Sequence, residues 1–171
     1  AHPVRGLYDV VLTNPPYSQR TRYGNQYPVD SHNGDAVSMV HCFESLKPDG
    51  RAAILVKEDF LSEGGDVGKA RDYILTHAKS FSVVSLPRQL FVPYTPTKTS
   101  IIYFEKAGKR PSTYFYVVKQ VGHTLTTRKR SIANAVSTVK ARVRDGTITT
   151  RPCCCNCSMR RYTRALRSNS V

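Results

Sequence analysis

The sequence predicts an α/β fold, a sheet of strands with helices on both faces, and three observations predict it. Runs of consecutive apolar residues, rather than alternating ones, recur between residues 8 and 104, as expected of strands buried on both sides. Stretches with apolar residues at helical spacing lie between them. Pro, Gly and Asp clusters punctuate the segments, giving the order strand, helix, strand, helix, strand, loop, strand. The 171 residues suffice for one domain with a real core, and 40% hydrophobic and 22% charged residues argue against wholesale disorder.

The first strand is Tyr8 to Leu12, ended by Thr13, Asn14, Pro15, Pro16 and Tyr17. Two successive prolines lack ladder donors and stop a central strand. Gln19 to Gly34 has no clear periodicity and reads as a long loop. A helix starts at Asp35 and places Ala36, Met39 or Val40, Phe43 and Leu46 on one face, until Lys47–Pro48–Asp49–Gly50 stops it. Ala52 to Val56 is a continuous apolar strand. Asp66 is the expected cap of a second helix carrying Val67, Ala70 and Ile74 inward. Phe81 to Leu86 and Thr99 to Phe104 are strands, and Tyr114 to Val118 could add another. Ser131 to Arg144 has a weak helical pattern diluted by β-branched residues, and no element is expected from Thr147 onward.

The net charge is +14 with a pI near 9.9, which points to a polyanionic partner. From Arg128 to the end eleven cations face one acid, Asp145, so this part holds +10 of the total. Such a tail can hold nucleic acid or simply be solvated. No apolar run approaches the roughly 18 residues of a membrane helix, and the first residues do not read as a signal peptide. A soluble, cytoplasmic protein is expected. Cys154 and Cys157 have C-x-x-C spacing, but two further well-placed ligands are lacking, so no metal is expected.

Ligands of α/β sheets sit beyond the carboxyl ends of strands, where Asn14 to Tyr17 lie. An exocyclic amine conjugated to a ring is a poor nucleophile, and acceptors that hold both its hydrogens would assist its methylation. The Asn14 carboxamide oxygen and the Pro15 carbonyl are such acceptors, in a turn whose prolines offer no competing donor. Their bonds strengthen as the hydrogens grow more positive, which favours the transition state. Tyr17 offers a face on which a flipped base could stack. The alternative is that the tetrapeptide is only a strand-terminating turn.

The run YDVVLTNPPYS from Tyr8 to Ser18 resembles the fourth motif of methyltransferases acting on adenine N6. PDGRAAILV from Pro48 to Val56, ARDYIL from Ala70 to Leu75, SLPRQLF from Ser85 to Phe91 and YTPTKTSIIYF from Tyr94 to Phe104 are similar to segments of the modification subunits of type I restriction-modification systems. So are YFYVV from Tyr114 to Val118, GHTL from Gly122 to Leu125, and Arg128 to Arg130. The resemblance runs from about Tyr8 to Arg130.

It implies a partial Rossmann-like class I methyltransferase sheet, the C-terminal half of a catalytic domain over residues 1–106. A family-like extension would follow over 107–130, and a basic, Cys-containing, poorly ordered tail over 131–171. It implies methyl transfer from S-adenosylmethionine to adenine N6 in DNA, with a specificity subunit and a restriction subunit as partners. Asn14, Pro15, Pro16 and Tyr17 would be catalytic, with Asn14 and Pro16 also at the cofactor. Tyr17, Phe91, Thr95, Lys98 and Thr99 would line the substrate rim. The family also has a Gly-rich cofactor turn and a ribose-binding acid upstream of the motif. Here only Ala1 to Leu7 precede it, and Gly64 to Gly68 follow the wrong strand and read as a turn before a helix. A truncated fragment is therefore expected, whose independent activity the missing half puts in doubt. Methylation of a protein glutamine amide or a ribosomal RNA amine remains open on this motif, as does a non-catalytic nucleic-acid-binding remnant.

Overall fold

The computed structural model describes residues 3–108, 113–133, 135–139, 141–144 and 147–150. The elements are β1 (Tyr8–Thr13), α1 (Gly34–Ser45), β2 (Leu46–Lys57), α2 (Gly65–His77), β3 (Ala78–Ser85), β4 (Thr99–Lys106), β5 (Thr113–Gln120), β6 (Ala135–Val139), β7 (Ala141–Arg144) and β8 (Thr147–Thr150). Six strands form one sheet in the order β1-β2-β4-β3-β5-β6, and β7 and β8 pair separately. β1 is parallel to β2, β3 is parallel to β5, and β4 runs antiparallel between β2 and β3. The carboxyl ends of β1, β2, β3 and β5 therefore open at one edge of the sheet. This edge carries Asn14 to Tyr17, a short 3-10 turn over Glu58–Leu61, the loop from Leu86 to Lys98, and the segment after Gln120.

One face of the sheet holds the core. Ala52, Ile54 and Val56 of β2, Ile102 and Phe104 of β4, and Phe81 and Val83 of β3 are buried in one cluster with α1 and α2. The helices contribute Ala36, Met39, Val40, Phe43, Val67, Ala70 and Ile74 to it. Burying a side chain of that size stabilises by about 1.5–3 kcal/mol before entropy is counted. Phe43 is the hub, with its ring 5.6 Å from that of Phe104, edge-on to Tyr73 at 5.8 Å, and 5.3 Å from the Lys106 ammonium.

The expected α/β class and element order are found. Among the described residues both helices lie on the same face, so β2 alternates buried and half-buried residues from Ala52 to Lys57. Further details differ from the sequence expectations. The cap of α1 is Asn33, whose carboxamide oxygen accepts from the Asp35 and Ala36 amides at 2.9 and 3.2 Å. The cap position of α2 is Gly64, and the Asp66 carboxylate instead accepts from the Ser31 hydroxyl at 2.7 Å. The weak helical pattern over Ser131 to Arg144 gives way to β6 and β7, and β8 forms over Thr147–Thr150 where the sequence predicts no element, in line with the β-branched residues there. Lys47 to Gly50 bulges out of β2, because Tyr8 pairs with Leu46 while Val10 pairs with Arg51.

The long segment after the motif closes on itself. Thr21 N–H donates to His32 O at 3.0 Å and Gly34 N–H to Gln19 O at 2.8 Å. Closure needs glycine at two places. A Cβ on Gly24 would lie 1.6 Å from Ser31 O, and one on Gly34 would lie 2.6 Å from Gln19 O.

Candidate active site

The β1–β2 ladder ends at the pair Thr13 and Ile54. Beyond it, Asn14 and Pro16 are exposed while Pro15 and Tyr17 are half-buried. The Tyr17 hydroxyl donates to Asn14 Oδ1 at 2.9 Å. Burial raises the Tyr17 pKa, with the Asp35 charge adding, so the phenol remains a donor at neutral pH. A carboxamide oxygen has two lone pairs, which leaves one acceptor site on Asn14 beside the Pro15 carbonyl.

The downstream end of the motif is fastened to two elements. Ser18 has a φ of 56°, a left-handed conformation that a non-glycine residue keeps only when held. Its N–H donates to Asp35 Oδ1 at 2.9 Å, and its Oγ accepts from Lys57 Nζ at 2.7 Å. Lys57 Nζ is also 3.4 Å from Asp35 Oδ2, with the two side chains 22% and 13% exposed. Asp35 sits in the first turn of α1, where the helix dipole favours its charge. Lys57 is the last residue of β2.

The next residue, Glu58, reaches the other side of the edge. Its N–H donates to Lys98 O at 3.0 Å, and its Oε2 lies 3.0 Å from Lys98 Nζ. Lys98 Nζ also donates to Ser85 Oγ at 2.6 Å, so Lys98 is an enclosed, paired lysine between the ends of β2 and β3. Phe91 is half-buried, and its carbonyl accepts from Tyr94 and Thr95 N–H at 2.8 and 3.1 Å. The Thr95 hydroxyl donates to Thr97 Oγ1 at 2.8 Å. Thr99 pairs with Lys57 in the sheet and is 1% exposed, and its Oγ1 has no hydrogen-bond partner among the described residues. Thus Asn14, Tyr17, Lys98 and Thr99 stand on neighbouring strand ends of one edge, with Thr99 enclosed beneath it.

Ser18, Asp35, Lys57 and Glu58 were not anticipated. The available signal was the charged run Lys57–Glu58–Asp59 directly after a continuous apolar strand. A cavity of about 430 Å³ adjoins Ser18 between Arg20, His32, Lys57, Glu63 and Asp66.

Among the described residues no group of three or more His, Cys, Asp or Glu side chains could hold a metal ion. Cys153 to Cys157 lie outside the described residues. Cys42 is buried, and burial pushes its thiol pKa up to about 11, which makes it an inert core residue. No helix among the described residues is long and apolar enough to cross a membrane.

A family model described as N-6 DNA Methylase matches residues 2–141. The type I restriction enzyme EcoEI methylase subunit of Escherichia coli is 28% identical over 112 residues, 63% of this chain and 23% of that protein. A solved chain of the type I R-M system is 29% identical, with a TM-score of 0.61 over 67% of this chain and 24% of that one. The type I restriction enzyme EcoKI M protein is 25% identical, with a TM-score of 0.55 over 66% and 25%. The chain spans about a quarter of the length of these relatives.

Proposed function

The chain belongs to the N-6 DNA methylase family, and from that premise we propose that it carries the amine-holding part of an adenine-N6 DNA methyltransferase site. The fold matches this reading, since the sheet is the partial Rossmann-like sheet of class I methyltransferases. The observation that carries the proposal is Asn14 Oδ1, an exposed amide acceptor beyond the carboxyl end of β1, next to the donor-free Pro15–Pro16 turn.

In this reading one N6 hydrogen goes to Asn14 Oδ1 and the other to the Pro15 carbonyl. The Tyr17 ring covers the base, and its hydroxyl keeps the Asn14 amide turned outward. Both acceptors gain strength as positive charge develops on the amine. Phe91, Thr95 and Lys98 belong to the rim in the same proposal, with Thr99 enclosed beneath them. The division at residue 106 into a catalytic half and an extension is also part of it.

Methyl transfer needs a donor, and S-adenosylmethionine, when bound, supplies an electrophilic methyl on a sulfonium sulfur. The described residues fit one wall of such a donor site, through Asn14 and Pro16. Gly64 to Gly68 follows β2 and its 3-10 turn and opens α2, and we do not assign it as the glycine turn of a donor site. Among the described residues no strand pairs with the outer side of β1, where Leu7, Tyr8, Val10 and Leu12 are exposed, and we place the rest of the donor site there. We assign the chain to a cytoplasmic restriction-modification complex with a specificity subunit and a restriction subunit.

Protein glutamine and ribosomal RNA amines are acceptors of the same chemistry. The likeness to type I methylase subunits favours DNA over both. The test offers unmethylated genomic DNA, ribosomal RNA and a release factor, with labelled S-adenosylmethionine, to the chain assembled with a specificity subunit. Label on DNA as N6-methyladenine is expected. Label on RNA or protein with none on DNA would refute the reading.

A further inference from the structure

The segment between β5 and β6 is an ordered finger. Ile132 N–H donates to Gly122 O at 3.0 Å, His123 and Ser131 form an antiparallel bridge, and Thr124 N–H donates to Arg130 O at 2.8 Å. These bonds extend the β5–β6 ladder beyond Gln120. Two threonine hydroxyls close the tip. Thr126 Oγ1 donates to Arg128 O at 2.9 Å, and Thr124 Oγ1 accepts from Arg130 N–H at 3.0 Å. The bonds use backbone and threonine groups and leave the three charged side chains out. Arg128, Lys129 and Arg130 are all exposed, and none pairs with a carboxylate among the described residues.

Strand direction sets where this finger lies. β5 runs parallel to β3, and β3 runs in the same sense as β1, so Gln120 and Asn14 leave the sheet at the same edge. In the order β1-β2-β4-β3-β5 the two are four strand spacings apart, about 19 Å at roughly 4.8 Å each. That is about half of the roughly 34 Å turn of duplex DNA.

We propose that the Gly122–Ile132 hairpin binds the phosphate backbone of duplex DNA about half a turn from the base held at Asn14. The inference rests on the adenine-methylation reading for its geometry. Three adjacent cations on a closed turn suit phosphate oxygens, which Arg and Lys meet with short charge-assisted hydrogen bonds. A turn fixed before binding loses less freedom on binding. Phosphate contacts set position and affinity and carry no base sequence. The hairpin would therefore hold any DNA sequence, while selection of the target lies elsewhere.

The test is the salt dependence of binding of a labelled random-sequence duplex to the full chain, read by fluorescence anisotropy. Each neutralised phosphate contributes about −0.9 to the slope of log K against log salt. The triple variant Arg128→Gln, Lys129→Gln, Arg130→Gln is expected to flatten the slope by about 2–3. The single variant Lys129→Gln, the gentler change to the turn, is expected to flatten it by about 0.9. A control with the same loss of charge at the opposite sheet edge, Lys47→Gln, Arg51→Gln, Lys79→Gln, is expected to leave it unchanged. A slope untouched by the hairpin variants, or flattened equally by the control, overturns the inference. Methyl transfer to genomic DNA is assayed alongside. Transfer that depends on Asn14 together with a hairpin-independent slope sinks the hairpin contact alone. A hairpin-dependent slope with methyl label on RNA or protein and none on DNA sinks the adenine reading and leaves the phosphate contact standing.

Discussion

Lys57 Nζ lies 2.7 Å from Ser18 Oγ and 3.4 Å from Asp35 Oδ2, tying the residue after the Asn-Pro-Pro-Tyr turn to the end of β2 and the start of α1. Asp35→Ala removes the acceptor of the Ser18 N–H and leaves the Lys57 charge partly enclosed without its carboxylate. A loss of about 1–3 kcal/mol is expected, read as a lower denaturation midpoint, with a larger fall in methyl transfer than in DNA affinity. Lys57→Met, which removes the charge but keeps the packing, is expected to cost less. An Asp35→Ala protein with the wild-type midpoint and rate would show that the network does not position the motif.

Tyr17 carries two separable features, the ring and the hydroxyl on Asn14 Oδ1. Stacking a base on an aromatic ring is worth about 1–3 kcal/mol. Tyr17→Ala is therefore expected to lower kcat/KM for DNA methylation by roughly 5- to 150-fold. Tyr17→Phe keeps the ring and loses one hydrogen bond, about 0.5–1.5 kcal/mol, so its loss should stay near tenfold or below. Equal losses in the two variants would assign the role to the hydroxyl instead of the ring.

Stability at high pH depends on Tyr73. Burial, then its hydrogen bond to Glu44 at 2.7 Å, pushes its pKa up to about 12 from an ordinary value of 10. The folded state therefore favours the protonated phenol. This contribution is fully present below pH 10 and is lost as pH rises through about 12. Denaturant midpoints should fall across that window, and Tyr73→Phe should flatten the fall. A Tyr73→Phe protein with the wild-type pH profile would place the titration elsewhere.

The element order was legible because it is local. The apolar runs, the helical spacing around Phe43 and the Pro-Pro stop after β1 each lie within a few residues. The sheet order was not legible, since β4 inserts between β2 and β3 by pairings that no local pattern encodes. The same limit applied at the site. Asn14 and Tyr17 are three residues apart and could be read together, whereas Ser18 meets Asp35 and Lys57 across 17 and 39 positions. The cap of α2 was misplaced for a different reason. Asp66 has cap chemistry, but Gly64 holds the extended backbone that the cap position of α2 requires.

Whether Asn14 holds the target amine is measured most directly by single-turnover methyl transfer with Asn14→Ala. The measurement uses the chain assembled with a specificity subunit, with N6-methyladenine quantified by mass spectrometry. Removing one preorganised group of this kind costs about 10²–10³ in rate. A fall of that size is expected, with DNA affinity changed no more than a few-fold. A variant that methylates adenine at the wild-type rate would contradict that role of Asn14.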